Sequence, residues 1–212
     1  MITKNIDLTP KLRKKGRPLS FDREDALAKA MLLFWRHGYE ATSLNDLTTA
    51  LGVKPSSIYS VFGDKKRLFL EAVAKYLSGP VTSESIIDKA VDGREAARGL
   101  LQAAAEGFTG QDTPAGCLLA SSAISCSKGA NDVKEELAAI RREIEEKLLK
   151  KVKESVETGQ LPKDTAAEAL ASLTMAVIQG MSTLARDGAP RDKLLGLIDA
   201  VMRAWPSPLN SK

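Results

Sequence analysis

The chain has 212 residues, 43% hydrophobic and 27% charged, an ordinary globular balance that excludes a long disordered or collagen-like polymer. Its formal charge of +4 is unevenly spread: residues 1–79 hold 14 Lys and Arg against 8 Asp and Glu, and residues 80–212 hold 17 against 19. A basic end joined to a near-neutral body points to nucleic-acid binding at that end and excludes an evenly basic DNA-coating protein.

Strand signals are scarce, and no Asn-Gly or Asp-Gly lies between alternating apolar runs, so an all-α chain of about nine helices is predicted. Residues 1–19 form a polar arm in which KLRKKGR puts five basic residues into seven positions. Lys14, Lys15 and Arg17, with Lys11 and Arg13, suit an arm that grips phosphates or the minor groove. A first helix is expected over 22–36, capped by Asp22 and carrying Ala26, Leu27, Ala30, Leu33 and Phe34 at helical spacing. His37-Gly38-Tyr39 closes it. Ser43-Leu44-Asn45-Asp46 reads as a capping box that opens a second helix with Leu44, Leu47 and Leu51 inward. That helix stops at Gly52, and Pro55 at a first helical position opens a third, very short one. Gly63 interrupts, Asp64 caps again, and a fourth helix follows over 65–76. Gly79-Pro80 is the best domain boundary in the chain. It divides a DNA-binding domain over 20–79 from a second domain over 80–206, with a tail at 207–212.

Beyond the boundary, helices are expected over 93–108, 116–127, 131–158, 164–186 and 190–205. In the third of these segments, 131–158, Val133, Leu137, Ile140, Ile144, Leu148 and Val152 share one side. Cys117 and Cys126 lie nine apart within one expected helix, about 13 Å along its axis, so they cannot bond without breaking it. Free thiols, the lack of an apolar leader in MITKNIDLTPKLRKKGRP, and the lack of a run of about 20 apolar residues indicate a soluble, cytoplasmic protein with no membrane partner.

Three short helices with a glycine turn before the third make a helix-turn-helix, whose third helix lies in the major groove. A narrow helix with small polar residues at its tip fits that groove, and Lys54, Ser56, Ser57 and Ser60 are such residues. Tyr59 offers a ring to pack and a hydroxyl for a phosphate, while Ile58, Val61 and Phe62 turn back into the small core. No enzyme, cofactor or metal is expected. The single histidine, His37, closes a helix, and no nucleotide-binding glycine loop, metal-ligand cluster or nucleophile motif is present.

Residues 21–69 closely resemble the DNA-binding domain of the tetracycline-repressor-like (TetR) family of bacterial regulators. The resemblance rests on ALAKAMLLFWRHGYEATSLNDLTTALGVKPSSIYSVFGDKKRLF: the aromatic-Gly-Tyr/Phe pattern at 37–39, the Thr-Ser opening of helix two, Gly-Val before the turn, and Ile-Tyr…Phe…Asp-Lys. It implies that Thr42 and Ser43 touch phosphates, that residues 54–60, Pro55 among them, read or line the groove with Tyr59 on the backbone, and that Lys65 meets a phosphate. The chain departs from the family at Ser60-Val61, where His-Tyr is common, which removes a ring and a hydroxyl from the groove side.

The resemblance further implies a ligand-binding and dimerisation domain, a homodimer on a double-stranded operator, and a repressor released by an unknown small-molecule inducer. Two half-sites about 34–36 Å apart require a two-fold pair. The last two helices are the expected dimer surface, through Leu173, Val177, Met181, Leu184, Leu194, Ile198, Val201, Met202 and Trp205. Beyond residue 80 the only aromatics are Phe108 and Trp205, which argues against a cage of stacked rings. Gln102, Phe108, Cys117, Ser121, Thr174 and Gln179 are the candidate ligand-binding residues, with Glu106 and Ser122 beside them. Cys117, near an expected helix start, also raises the alternative of a redox- or electrophile-sensing regulator of the same fold.

Overall fold

Asp22 accepts hydrogen bonds from the Glu24 and Asp25 amides, which caps the first helix as its sequence predicts. The computed structural model describes residues 21–122, 127–207 and 209; the basic arm, with Lys14, Lys15 and Arg17, lies outside them. Among the described residues there are ten α-helices, a short 3-10 turn and no strand. The first four are α1 Arg23–His37, α2 Leu44–Leu51, α3 Pro55–Phe62 and α4 Lys65–Leu77. Their starts and stops follow local chemistry. Ser43 and Asp46 form the reciprocal capping box, Gly52 closes α2 in the left-handed region at φ 66°, and Pro55 occupies the first turn of α3.

These helices enclose one small core. Phe34, Leu47, Ile58, Phe62, Leu68 and Phe69 are each 1% exposed or less, and burying each stabilises the fold by about 1.5–3 kcal/mol. Phe69 meets Phe34 edge-on at 5.1 Å between centroids and Tyr39 at 5.0 Å. An ion pair between Arg23 and Glu71 fastens α1 to α4.

The second part comprises α5 Ser83–Lys89, α6 Gly93–Phe108, α7 Leu118–Ser121, the turn Lys128–Ala130, α8 Asn131–Glu157, α9 Ala167–Arg186 and α10 Arg191–Met202. Helix α6 is its hub, packing against α5, α8, α9 and α10. The expectation of about nine helices is met by ten among the described residues. Helix α5 was missed although Thr82 and Ser85 cap it reciprocally, because its seven residues are too few to show an apolar period. The expected helix over 116–127 is also corrected. Among the described residues only Leu118–Ser121 is helical, since Gly116 sits at φ 81° and cannot start a helix, and Cys126 lies outside the description. Helix α9 begins at Ala167, later than expected, because Thr165 turns back to bond the Pro162 carbonyl through both its amide and its hydroxyl. Among the described residues no helix is long and apolar enough to cross a membrane.

Candidate nucleic-acid interface and ligand cavity

The leading edge of α3 stands open to solvent. Ile58 and Phe62 anchor its inner side at 0% and 1% exposure, and Val61 is half-buried beside them. Lys54, Pro55, Ser56 and Ser60 are exposed, Tyr59 is 49% exposed, and Ser57 is half-buried. Ile58 and Phe62, four apart, put one face of this eight-residue helix into the core, and Ser56, Tyr59 and Ser60 lie on the face left outside. Its first-turn amides lack a side-chain cap, so they add a partial positive charge to that edge.

One position near α3 differs from expectation. Thr42 was expected to touch a phosphate, but it is 1% exposed and its hydroxyl donates to the Gly38 carbonyl at 2.7 Å. It fastens the α1–α2 turn instead. Ser43 is exposed, but its hydroxyl donates to Asp46 Oδ2 at 2.6 Å, and these bonds hold the Asp46 carboxyl below its usual range. Lys65 lies over the Tyr39 ring at 4.5 Å and reaches the Glu40 carbonyl at 3.4 Å, which keeps its ammonium at the mouth of the α1–α2 turn.

The second feature is a cavity of about 660 Å³, within the roughly 300–1,000 Å³ of small-molecule sites. Three candidate ligand residues line it: Phe108, Cys117 and Gln179. Three others do not and are corrected. Gln102 is exposed and bonds Glu106, Thr174 is buried and donates to the Leu170 carbonyl, and Ser121 donates to the Cys117 carbonyl. None of the three lines the space. Glu106 is exposed with Gln102, and Ser122 faces α1.

The cavity also takes residues the sequence reading left out. Met31 and Trp35 of α1, and Lys75 and Tyr76 of α4, form part of its wall, and Arg141 of α8 enters it. The low aromatic content beyond residue 80 was therefore misleading, because Trp35 and Tyr76 meet edge-on at 4.9 Å and join Phe108 there. Tyr76 donates its hydroxyl to Cys117 Sγ at 3.6 Å. Burial pushes both the Tyr76 phenol and the Cys117 thiol up, so each is neutral at pH 7. Among the described residues no group of three or more His, Cys, Asp and Glu is gathered to hold a metal ion.

Segment 116–122 joins the cavity to α1. Cys117, Leu119 and Ala120 face the space. On the other side, Gly116 accepts from Trp35 Nε1 at 3.0 Å, Ser122 accepts from the Tyr39 amide at 2.9 Å, and the Ser122 hydroxyl reaches the Phe34 carbonyl at 3.4 Å. Arg186 of α9 closes the junction by donating to the carbonyls of Trp35 and Arg36 at 3.1 and 3.0 Å and to Ser121 Oγ at 3.1 Å. Gly116 is required here: a Cβ would come 2.8 Å from the Ser182 carbonyl, at a φ that side chains avoid.

The candidate dimer surface divides in two. Leu173, Val177, Gly180 and Leu184 form an outward stripe on α9, with Leu173 at 37% exposure, and Leu197, Val201 and Ala204 continue it along α10 and just past its end. Met181, Leu194, Ile198, Met202 and Trp205 are 5% exposed or less and belong to the subunit's own core. They are corrected as interface residues. On α9 Met181 lies only a fraction of a turn from the outward stripe, so helical spacing alone groups it with Leu173, Val177 and Leu184.

Comparison with known proteins agrees in both halves. The family model described as bacterial regulatory proteins, tetR family, matches residues 26–72, and the tetracyclin repressor-like C-terminal domain matches 93–198. The HTH-type transcriptional repressor ComR of Escherichia coli (strain K12) is 35% identical over 199 residues, 92% of this chain and 93% of its own. The HTH-type transcriptional repressor DhaR of Mycobacterium sp. (strain GP1) is 25% identical over 181 residues, 83% of this chain and 89% of its own. A cysteine-substituted form of the TetR family transcriptional regulator CifR, solved with a 26-bp double-strand operator DNA, superposes with TM-score 0.85 at 36% identity. That match covers 90% of this chain and all of the other.

Proposed function

Because the chain belongs to the TetR family of bacterial regulatory proteins, we propose that it is a homodimeric repressor acting on chromosomal DNA in the cytoplasm, released from a palindromic operator by a small molecule in the cavity. Two units divide the work: residues 20–79 contact DNA, and residues 80–206 bind the inducer and the partner subunit. Lys54, Pro55, Ser56, Ser57, Tyr59 and Ser60 would line or read the major groove, with Ser43 and Lys65 beside the flanking phosphates and Lys14, Lys15 and Arg17 supplied by the arm. Pairing would use the outward stripes of α9 and α10 through Leu173, Val177, Leu184 and Val201. Phe108, Cys117 and Gln179 would contact the inducer.

The observation that carries this reading is the shared wall. Trp35 belongs to the cavity and to α1 at once, and segment 116–122 bonds α1 from behind the same cavity. A ligand that displaces that wall by different amounts in two arrangements has the differential free energy needed to shift the pair of α3 helices. The thiol-based alternative is weaker on chemical grounds, because burial keeps Cys117 protonated and the neutral thiol is a poor nucleophile.

Selection of bound duplexes from a random-sequence pool tests the DNA reading. A palindromic consensus with half-sites about one helical turn apart is expected. Affinity for it should fall roughly 10³–10⁵-fold between 50 and 200 mM salt if about 6–10 phosphates are contacted. Lys54→Ala in each subunit should weaken binding and flatten the salt slope. A pool that yields no consensus, bound with a flat salt dependence, would overturn the reading.

A further inference from the structure

The cavity carries an unbalanced charge. Its lining includes two cations, Lys75 and Arg141, and no Asp or Glu. Lys75 is paired with Glu24 at 3.2 Å. Arg141 is half-buried and donates Nη1 to the Leu119 carbonyl at 2.5 Å, but meets no carboxylate among the described residues. A guanidinium drawn partly out of water without a counter-charge is costly. The polar neighbours cannot supply that charge, since burial holds both the Tyr76 phenol and the Cys117 thiol in their neutral forms.

We propose that the cavity binds an organic monocarboxylate, its carboxylate on Arg141 and its hydrocarbon body against Leu100, Ala104, Phe108, Ile144, Met175 and Ile178. The guanidinium keeps N–H donors beyond the one given to Leu119, and its planar fork matches a carboxylate. The walls define the rest of the ligand. They are mostly apolar, so an inorganic anion would leave most of the space unfilled, and a sugar acid would set several hydroxyls against walls whose polar side chains, Thr82, Ser83, Thr113 and Gln179 among them, are the minority. A cationic ligand would meet the like charge of Arg141. The inference rests on reading this cavity as the inducer site, and it adds the charge and shape of the inducer.

The test titrates the full-length protein with decanoate, 1-decanol and decylamine, below their aggregation limits, by calorimetry and by the fluorescence of Trp35 in the cavity wall. Decanoate should bind at least about tenfold more tightly than decanol, the ratio expected of one charge-assisted pair, and decylamine more weakly than both. Arg141→Gln removes the charge while keeping a donor for the Leu119 carbonyl. It should bring decanoate down to the level of decanol and leave decanol unchanged. Arg141→Lys, which keeps the charge on a different geometry, should retain part of the preference and guards against a folding defect in the first variant. Equal binding of decanoate and decanol in the unaltered protein, or a preference that survives Arg141→Gln, overturns the proposal while leaving the cavity a ligand site. Absence of binding by all three overturns the proposal and the inducer-site reading together. A decanoate preference without any loss of operator affinity upholds the proposal and overturns only the inducer reading.

Discussion

Replacing Arg186 by Met tests whether the junction between the cavity and α1 is held as the geometry indicates. Met preserves most of the aliphatic stem and removes the guanidinium, so the change isolates three hydrogen bonds, to the Trp35 and Arg36 carbonyls and to Ser121 Oγ, all at 3.0–3.1 Å. The two carbonyls belong to the last turn of α1, which has no intrahelical partners for them and favours a cation there. Bonds from a charged donor contribute about 1.5–3 kcal/mol when buried, but Arg186 is exposed and water can replace it. The discounted loss is about 1–2 kcal/mol in total. For a chain of this size that lowers Tm by about 2–8 °C. Exchange of the Tyr39 amide, which bonds the Ser122 carbonyl across the same junction, should quicken by about 5–30-fold, the equilibrium equivalent of that loss. Scanning calorimetry and hydrogen exchange read the two effects. An unchanged Tm with unchanged Tyr39 protection would refute the claim that Arg186 holds α1 against α9.

Gly93→Ala should destabilise the protein by about 1–3 kcal/mol in urea unfolding, because the added Cβ would lie 2.6 Å from Val152 Cγ2 and 2.7 Å from its Cα. A stability gain, as alanine gives in an open helix, would show that α6 and α8 are not held that close. The Glu40 carboxyl accepts from the amide and hydroxyl of Ser127, which holds its pKa below the usual 4.5. A depressed carboxyl stabilises above its unfolded pKa, and the contribution is lost as pH falls through the folded value. Tm should therefore drop more steeply below pH 4.5 in the unaltered protein than in Glu40→Gln, and parallel curves would contradict the bond. Gly180→Arg puts a charge in the middle of the outward α9 stripe, where a Cβ meets nothing within 4 Å of its own subunit. Light scattering should find monomers that remain folded and bind operator weakly; an intact dimer would move the interface elsewhere.

The helix-turn-helix was legible in the sequence because its signals are local. Pro55, the left-handed Gly52, and the Ser43–Asp46 box each act within one turn of chain, so three short helices could be bounded without knowing what they pack against. The same locality let Ile58 and Phe62 be assigned inward and Tyr59 outward. Thr42 shows where local reasoning stops. Its place beside Ser43 resembles a phosphate contact, but the close approach of Gly38 turns its hydroxyl inward.

The cavity depended wholly on tertiary packing. Its wall runs from Met31 to Gln179, and no periodicity relates Trp35 to Arg141 or Cys117. The same holds for α9, whose sequence shows two apolar stripes without saying which one the subunit keeps. Only the docking of α6, α8 and α10 assigns Met181 to the core and leaves Leu173 and Val177 outside. Caps, turns and helical periods are set by neighbours within about four residues, so one chain suffices to reveal them. A ligand space and a choice of buried face arise from contacts between segments far apart in sequence, and those exist only once the helices have packed.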